Sequence, residues 1–395
     1  MGDRQATTDR VWLSADTCSV GELRTAVERT TEPRDYPFAE EISRNVPIYD
    51  ADAIRTAFDR PEKIKAYMAE WNRALGPGPG IIAFRNAIPD RTLIDDVSEI
   101  LNKIIEDERA SSSGSGDHFA PAGKNSRVWN SHEKLCIASP ELFARYNANH
   151  IVPLASRSWL GPNYQITAQV NVVRPGGQAQ VCHRDYHMGF QTAEALAQYP
   201  ASVHALSPAL TLQGAIAHVD MPVDSGPTKL LPYSQTYLPG YLATTRSDIR
   251  AYFEEHAVQL PLAKGDALFF NPAVFHAAGE NRSADIDRLA NLMQIGSGYG
   301  RSIEIVDRTR MCHALYQTLS DLKQAGSLTE HEINNVIEAS AEGYPFPANL
   351  DIDSPLSGMA PPSQQDVMRQ ALAEGWDKAA FGKAIDEQQG RKRSH

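Results

Sequence analysis

The stretch Ile166-Thr167-Ala168-Gln169-Val170-Asn171-Val172-Val173 sets aliphatic residues at even positions against mostly polar ones at odd positions, and it stops at Pro175-Gly176-Gly177. A period of two over this length is the signature of a half-buried β-strand, and the Pro-Gly-Gly run is a turn. Further strand candidates lie at 210–219, 228–231, 257–262, 267–270 and 288–295. Several short strands punctuated by Pro and Gly argue for a β-sandwich or jelly roll rather than a parallel sheet.

Outside this region the pattern turns helical. Ile54, Ala57, Phe58, Ile64, Tyr67, Met68 and Trp71 recur at three- and four-residue spacing, which predicts a helix over 50–76. Gly76-Pro77-Gly78-Pro79-Gly80 ends it, and Gly80-Ile81-Ile82-Ala83-Phe84 reads as a strand. A second helix follows Pro89-Asp90, with Leu93, Ile94, Val97, Ile100, Leu101 and Ile104 on one stripe. Residues 110–131 read as a polar loop without a phosphate-cradling pattern. Beyond about 303 helices return, and the Pro-rich tail from 346 carries one short helix near 365–374. The expected layout is an N-terminal helical extension over 1–79, a core over 80–300 and a C-terminal helical extension over 301–395.

With 38 basic against 49 acidic residues the net charge is −11, which speaks against a nucleic-acid binder, because phosphate neutralisation needs a basic surface. The short basic run Arg391-Lys392-Arg393 is expected to be solvated. Cys18, Cys136, Cys182 and Cys312 are far apart and form no CxxC pair, so a reducing, cytoplasmic setting is expected. No secretory h-region and no bilayer-spanning apolar run is present in the sequence, so a membrane partner is not expected.

The densest group of ligand-type residues is His183-Arg184-Asp185-Tyr186-His187. On a strand, positions 183, 185 and 187 share a face, so imidazoles and a carboxylate would converge. Burying that set calls for compensating charge, which a divalent metal supplies. Two histidines and one carboxylate are the facial ligand set of non-haem Fe(II) oxygenases. A third ligand is available at His276, after Lys264-Gly265-Asp266 and the apolar run 267–270. Arg288, twelve residues on, opens another strand and can grip a carboxylate bidentately, as the far end of 2-oxoglutarate requires. His204, His218 and Asp220 lie in the β region off this motif and read as structural.

From about 80 to 295 the chain resembles the phytanoyl-CoA dioxygenase family of Fe(II)/2-oxoglutarate oxygenases. The resemblance rests on 80–84 with its following helix, His183 and Asp185, Asp224-Ser225-Gly226-Pro227-Thr228-Lys229-Leu230-Leu231-Pro232-Tyr233-Ser234-Gln235, Lys264-Gly265-Asp266, His276, and Asn281-Arg282-Ser283 ahead of Arg288. It implies an α+β fold with a double-stranded β-helix (jelly roll, cupin-like) core flanked by helices. It implies Fe(II), 2-oxoglutarate and O2 as cofactors, with His183, Asp185 and His276 as metal ligands. Arg288 would anchor 2-oxoglutarate, with Asn171 and Gln213 as further contacts; at Gln213 the chain departs from the family by lacking a Trp. His187 would face the substrate side, and Arg127 and Trp129, after the polar loop, are placed to touch a small-molecule substrate. Decarboxylation of 2-oxoglutarate to succinate and CO2 would drive oxidation of a substrate carbon, in a monomer or homodimer. Asp185 stands where related halogenases carry a small residue, which favours hydroxylation or another oxidative outcome. The competing readings are a cupin-type metal enzyme that does not use 2-oxoglutarate and a non-catalytic ligand-binding member of the fold.

Overall fold

In the computed structural model, described over residues 11–110, 125–185, 187–344, 346–355 and 358–394, helices pack on one large, mainly antiparallel sheet. The described residues form ten strands: β1 (Glu41–Ser43), β2 (Val46–Asp50), β3 (Ile81–Arg85), β4 (Asn125–Val128), β5 (Gln165–Val173), β6 (Thr211–Ala217), β7 (Lys229–Leu231), β8 (Ala267–Phe270), β9 (Phe275–Ala277) and β10 (Arg288–Gly296). Eight of them form a sheet in the order β1-β2-β3-β8-β6-β10-β5-β4, in which only β2 and β3 run parallel. The remaining pair, β7 and β9, is extended on both sides by single bridges, His183 with His276 and Leu230 with Val258. A short second ladder therefore runs 183–276–230–258.

The alternation in β5 has the expected meaning. Ile166, Ala168, Val170 and Val172 enter the main hydrophobic core with Leu212 and Ile216 of β6. Helices Pro61–Leu75, Arg91–Ala110, Ile151–Leu160, Arg308–Gln324 and Glu330–Ser340 contribute the other side of that core. The opposite parity, Gln169 and Asn171, turns to a cavity.

The structure corrects several expectations. The helix over 50–76 is two helices, Ala51–Thr56 and Pro61–Leu75, because Pro61 opens a new first turn and disfavours helical backbone at Arg60. Residues 41–50, placed in a helical extension, form β1 and β2 and complete one edge of the sheet. Residues 257–262 make only isolated bridges, Leu230 with Val258 and Met221 with Leu262. Of the polar loop, 111–124 lies outside the described residues, whereas 125–128 is the strand β4 and 131 begins a helix. A helix at Lys378–Gly390 follows the expected Gln364–Glu374. The basic tail is tied down rather than solvated: Arg391 pairs with Asp353 at 2.9 Å, and Lys392 pairs with Glu342. All four cysteines are free and buried.

Candidate metal and co-substrate site

His183, Asp185 and His276 come together, with their ligand atoms within 4.8 Å of one another. The expectation that the first two share a strand face is not met. His183 sits on a single bridge and 184–185 has no strand hydrogen-bonding. The convergence comes instead from the turn 271–274 and the strand β9 that follows it. His183 and His276 exchange reciprocal backbone hydrogen bonds of 3.0 and 3.1 Å, and the Asp185 amide donates to the Pro272 carbonyl at 3.1 Å. The turn thus seats Asp185, while β9 carries the third ligand and bridges His183.

Both imidazoles are set in the same tautomer. Nδ1 of His183 lies 2.8 Å from the Val181 carbonyl, and Nδ1 of His276 lies 2.8 Å from that of Val274. A carbonyl only accepts, so Nδ1 carries the proton and Nε2 keeps its lone pair. The Nε2 atoms stand 3.9 Å (His183) and 3.4 Å (His276) from Asp185 Oδ2. Burial, and then the neighbouring His276 charge, push the His183 pKa down, which favours the neutral ligand form. Burial acts to raise the Asp185 pKa. A 2.8 Å hydrogen bond from Gln213 Nε2 favours the carboxylate, as does either imidazole when it takes a second proton. The donor set is therefore one carboxylate and two neutral imidazole nitrogens, which suits an iron ion that keeps open positions.

Between the ligands, Arg184 turns the other way into a buried pocket. Its Nη2 donates to the Ser234 and Tyr237 carbonyls at 2.5 and 2.7 Å, while the Phe275 amide donates to Ser234 Oγ at 2.7 Å. The space is tight: a Cβ added at Gly240 would fall 1.9 Å from the guanidinium carbon. Ser234 thereby braces the chain on both sides of the His183–His276 bridge.

The ligands open on a cavity of about 500 Å³. Arg288, Asn171 and Gln213 all line it. Arg288 is 6 % exposed, its guanidinium has no hydrogen bond or ion pair among the described residues, and burial, then the charge of Arg127, lower its pKa to about 10. A buried guanidinium with no carboxylate partner is costly, and its planar donors can take an anion. Asn171 Oδ1 is buried without a donor. Arg127 and Trp129 line the cavity too, with the guanidinium 5.2 Å from the indole centroid and Nη1 donating to Gln169 Oε1 at 2.8 Å.

His187 is the exception. Its backbone takes φ +52°, which turns the side chain out of the cavity lining to Thr211, 3.2 Å from Nε2 to Oγ1. His218 is structural, as expected: Nδ1 lies 2.8 Å from Ser98 Oγ and Nε2 lies 2.9 Å from Tyr146 OH. The sequence reading missed Gln169 and Gln294, which also line the cavity. Gln169 shares the parity of Asn171 and was open to the same inference. Gln294 lies opposite Gln213 in the β10–β6 register and becomes visible only once that pairing is known.

Residues 53–290 match the family model for phytanoyl-CoA dioxygenase, more than half of the chain, so the protein belongs to that family. Fe(II), 2-oxoglutarate and O2 are the cofactors that membership brings, and the His183–Asp185–His276 set fits the metal. No curated protein matches the chain in a sequence comparison. Among solved structures, the non-heme alpha-ketoglutarate-dependent epimerase SnoN from nogalamycin biosynthesis is similar at 16 % identity and a TM-score of 0.41, over 60 % of this chain and 82 % of that one. The same epimerase in complex with Fe3+, alpha-ketoglutarate and nogalamycin RO overlaps at 18 % identity and TM-score 0.41, over 60 % and 85 %. The carbocyclase SnoK from that pathway overlaps at 19 % identity and TM-score 0.43, over 58 % and 83 %. Among the described residues no helix is long and apolar enough to cross a membrane.

Proposed function

We propose that the protein is an Fe(II)/2-oxoglutarate-dependent dioxygenase that oxidises an unactivated carbon of a small or medium-sized metabolite, releasing succinate and CO2. The main sheet and the short ladder 183–276–230–258 would be the two halves of a double-stranded β-helix, with the cavity between them. One observation carries the reading: a three-ligand metal group and a buried, anion-free Arg288 line the same cavity.

His183, Asp185 and His276 would hold the iron, which supplies the O2 chemistry when bound. Arg288 would take the far carboxylate of 2-oxoglutarate, and Asn171 stands beside it on the neighbouring strand, paired with Ala290 in the β5–β10 register. Arg127 and Trp129 would meet the substrate. Leu262, Leu268 and Phe270 give the cavity an apolar wall that excludes water from the reacting centre.

The test is anaerobic addition of Fe(II) and 2-oxoglutarate to metal-free protein, followed by visible absorption. A chelate charge-transfer band that is lost in His276→Ala, with O2-dependent succinate release lost in His183→Ala, supports the reading. Bound iron with no band sinks the use of 2-oxoglutarate and points to a cupin-type metal enzyme. A band with no succinate from any substrate screened points to a ligand-binding protein.

A further inference from the structure

We propose that Gln213 is a positioning residue for the metal-binding carboxylate, acting on Asp185 rather than on the co-substrate. The inference rests on the metal reading above and deepens it. Gln213 lies on β6 between Phe270 of β8 and Gln294 of β10, with its side chain on the cavity side of the sheet. It is 6 % exposed, and its Nε2 donates to Asp185 Oδ2 at 2.8 Å. It is the one hydrogen-bond donor to that carboxylate among the described residues, since both imidazoles turn a lone pair toward it.

The choice of oxygen matters. Oδ2 is also the atom that faces both Nε2 atoms, at 3.4 and 3.9 Å. Gln213 therefore grips the oxygen turned toward the metal position. It fixes the rotation of the carboxylate and draws some charge from that oxygen, two effects by which outer partners tune a metal centre. Asp185 needs such a tether. Its backbone is outside any strand, held by the Pro272 carbonyl through its amide and by Tyr241 OH through its carbonyl, and neither contact fixes the side chain. The sheet supplies the missing constraint, because β6 is paired on both sides and Gln213 cannot drift.

The other end of the amide supports a dedicated orientation. Gln213 Oε1 is buried without a donor, so the side chain is not held there by a second hydrogen bond. The Asp185 contact alone decides which way the amide faces. Of the two N–H donors of this amide, the one the structure shows in use is committed to Asp185.

The experiment uses the full chain and Mn(II) alone, titrated into metal-free wild type, Gln213→Leu and Gln213→Asn, with Co(II) as a spectroscopic substitute. Gln213→Leu keeps the bulk and loses the donor; Gln213→Asn keeps the amide and loses its reach. Both are expected to bind Mn(II) roughly 10–100-fold more weakly, the usual cost of losing an outer-shell partner. Both are also expected to shift the Co(II) ligand-field bands, while 2-oxoglutarate affinity at saturating metal and the melting temperature of the metal-free protein stay close to wild type. Unchanged metal affinity and Co(II) spectrum overturn the proposal. Unchanged metal affinity with weakened 2-oxoglutarate binding overturns it in favour of a co-substrate contact. Wild type that binds no Mn(II) or Co(II) at all sinks the metal reading itself, a separate failure.

Discussion

The two faces of the central sheet are built from the same strands and do opposite things. On the helical face, Ile166, Val170, Val172, Leu212 and Ile216 fill the core, and His218 is paired at both nitrogens, to Ser98 and Tyr146. On the cavity face, Arg288 has no anion, and Asn171, Gln213 and Gln294 each leave a buried carbonyl oxygen without a donor. One parity of each strand holds the fold together. The other carries more unpaired polar groups, although the helical face also leaves Asn291 Oδ1 without a donor.

The largest effect that would break this contrast is at Arg288. Arg288→Leu should weaken 2-oxoglutarate binding by about 2–5 kcal/mol, the usual cost of removing one partner of a buried charge pair. In the ligand-free protein the same change should leave stability unchanged or raised, because it removes an uncompensated buried charge. Calorimetric titration and thermal melts read the two effects. A clear loss of stability would mean that the cation belongs to the core after all.

The helical face should show its character in acid. Burial, with a smaller contribution from Lys264, lowers the His218 pKa to about 4. Between the ordinary histidine value of about 6.5 and that value, the unfolded chain binds a proton that the folded chain does not, so stability falls as pH falls through this window. The loss attributable to His218 is about 3 kcal/mol, and in His218→Asn the slope of stability against pH over this window should be shallower. An unchanged slope would assign the acid sensitivity elsewhere; His132, also buried and pushed down to about 3, is the next group to test. The smallest effect is at Tyr146→Phe, which removes the hydroxyl from His218 and Asn291. It should cost about 1–3 kcal/mol in denaturant unfolding. Metal affinity should not move, because no atom of Tyr146 reaches the cavity lining.

The sequence carried the helical face well and the cavity face unevenly. Parity in β5 is visible because one side of the strand is apolar and the other is not. β2 hides, since Val46, Pro47, Ile48 and Tyr49 are all buried and leave no alternation to read. His183, Asp185 and His276 were legible as residue types, but the geometry proposed for them was not what joins them. A shared strand face was the local explanation, whereas the convergence is made by a turn and the strand after it some ninety residues downstream, through hydrogen bonds that local sequence does not announce. Gln213 is legible as a polar residue of the cavity, but its hydrogen bond to Asp185 is not. Its partner depends on the rotation of Asp185, which only the assembled β6–β8 pairing reveals. At His187 a left-handed backbone interrupts the two-residue period expected over 183–187.

The segment 271–276, a turn running into β9, has a consequence for how this chain can vary in length. It bears His276, pairs with His183 and carries the Pro272 carbonyl that seats Asp185, while Asn271 Nδ2 anchors it to the Leu75 carbonyl at 3.1 Å. An insertion or deletion of one residue there would shift all three ligands at once, and no repair at a single ligand could restore them. Surface turns elsewhere can lengthen at little cost. This one is a gauge block, and its residue count is as much a part of the site as the identity of the side chains.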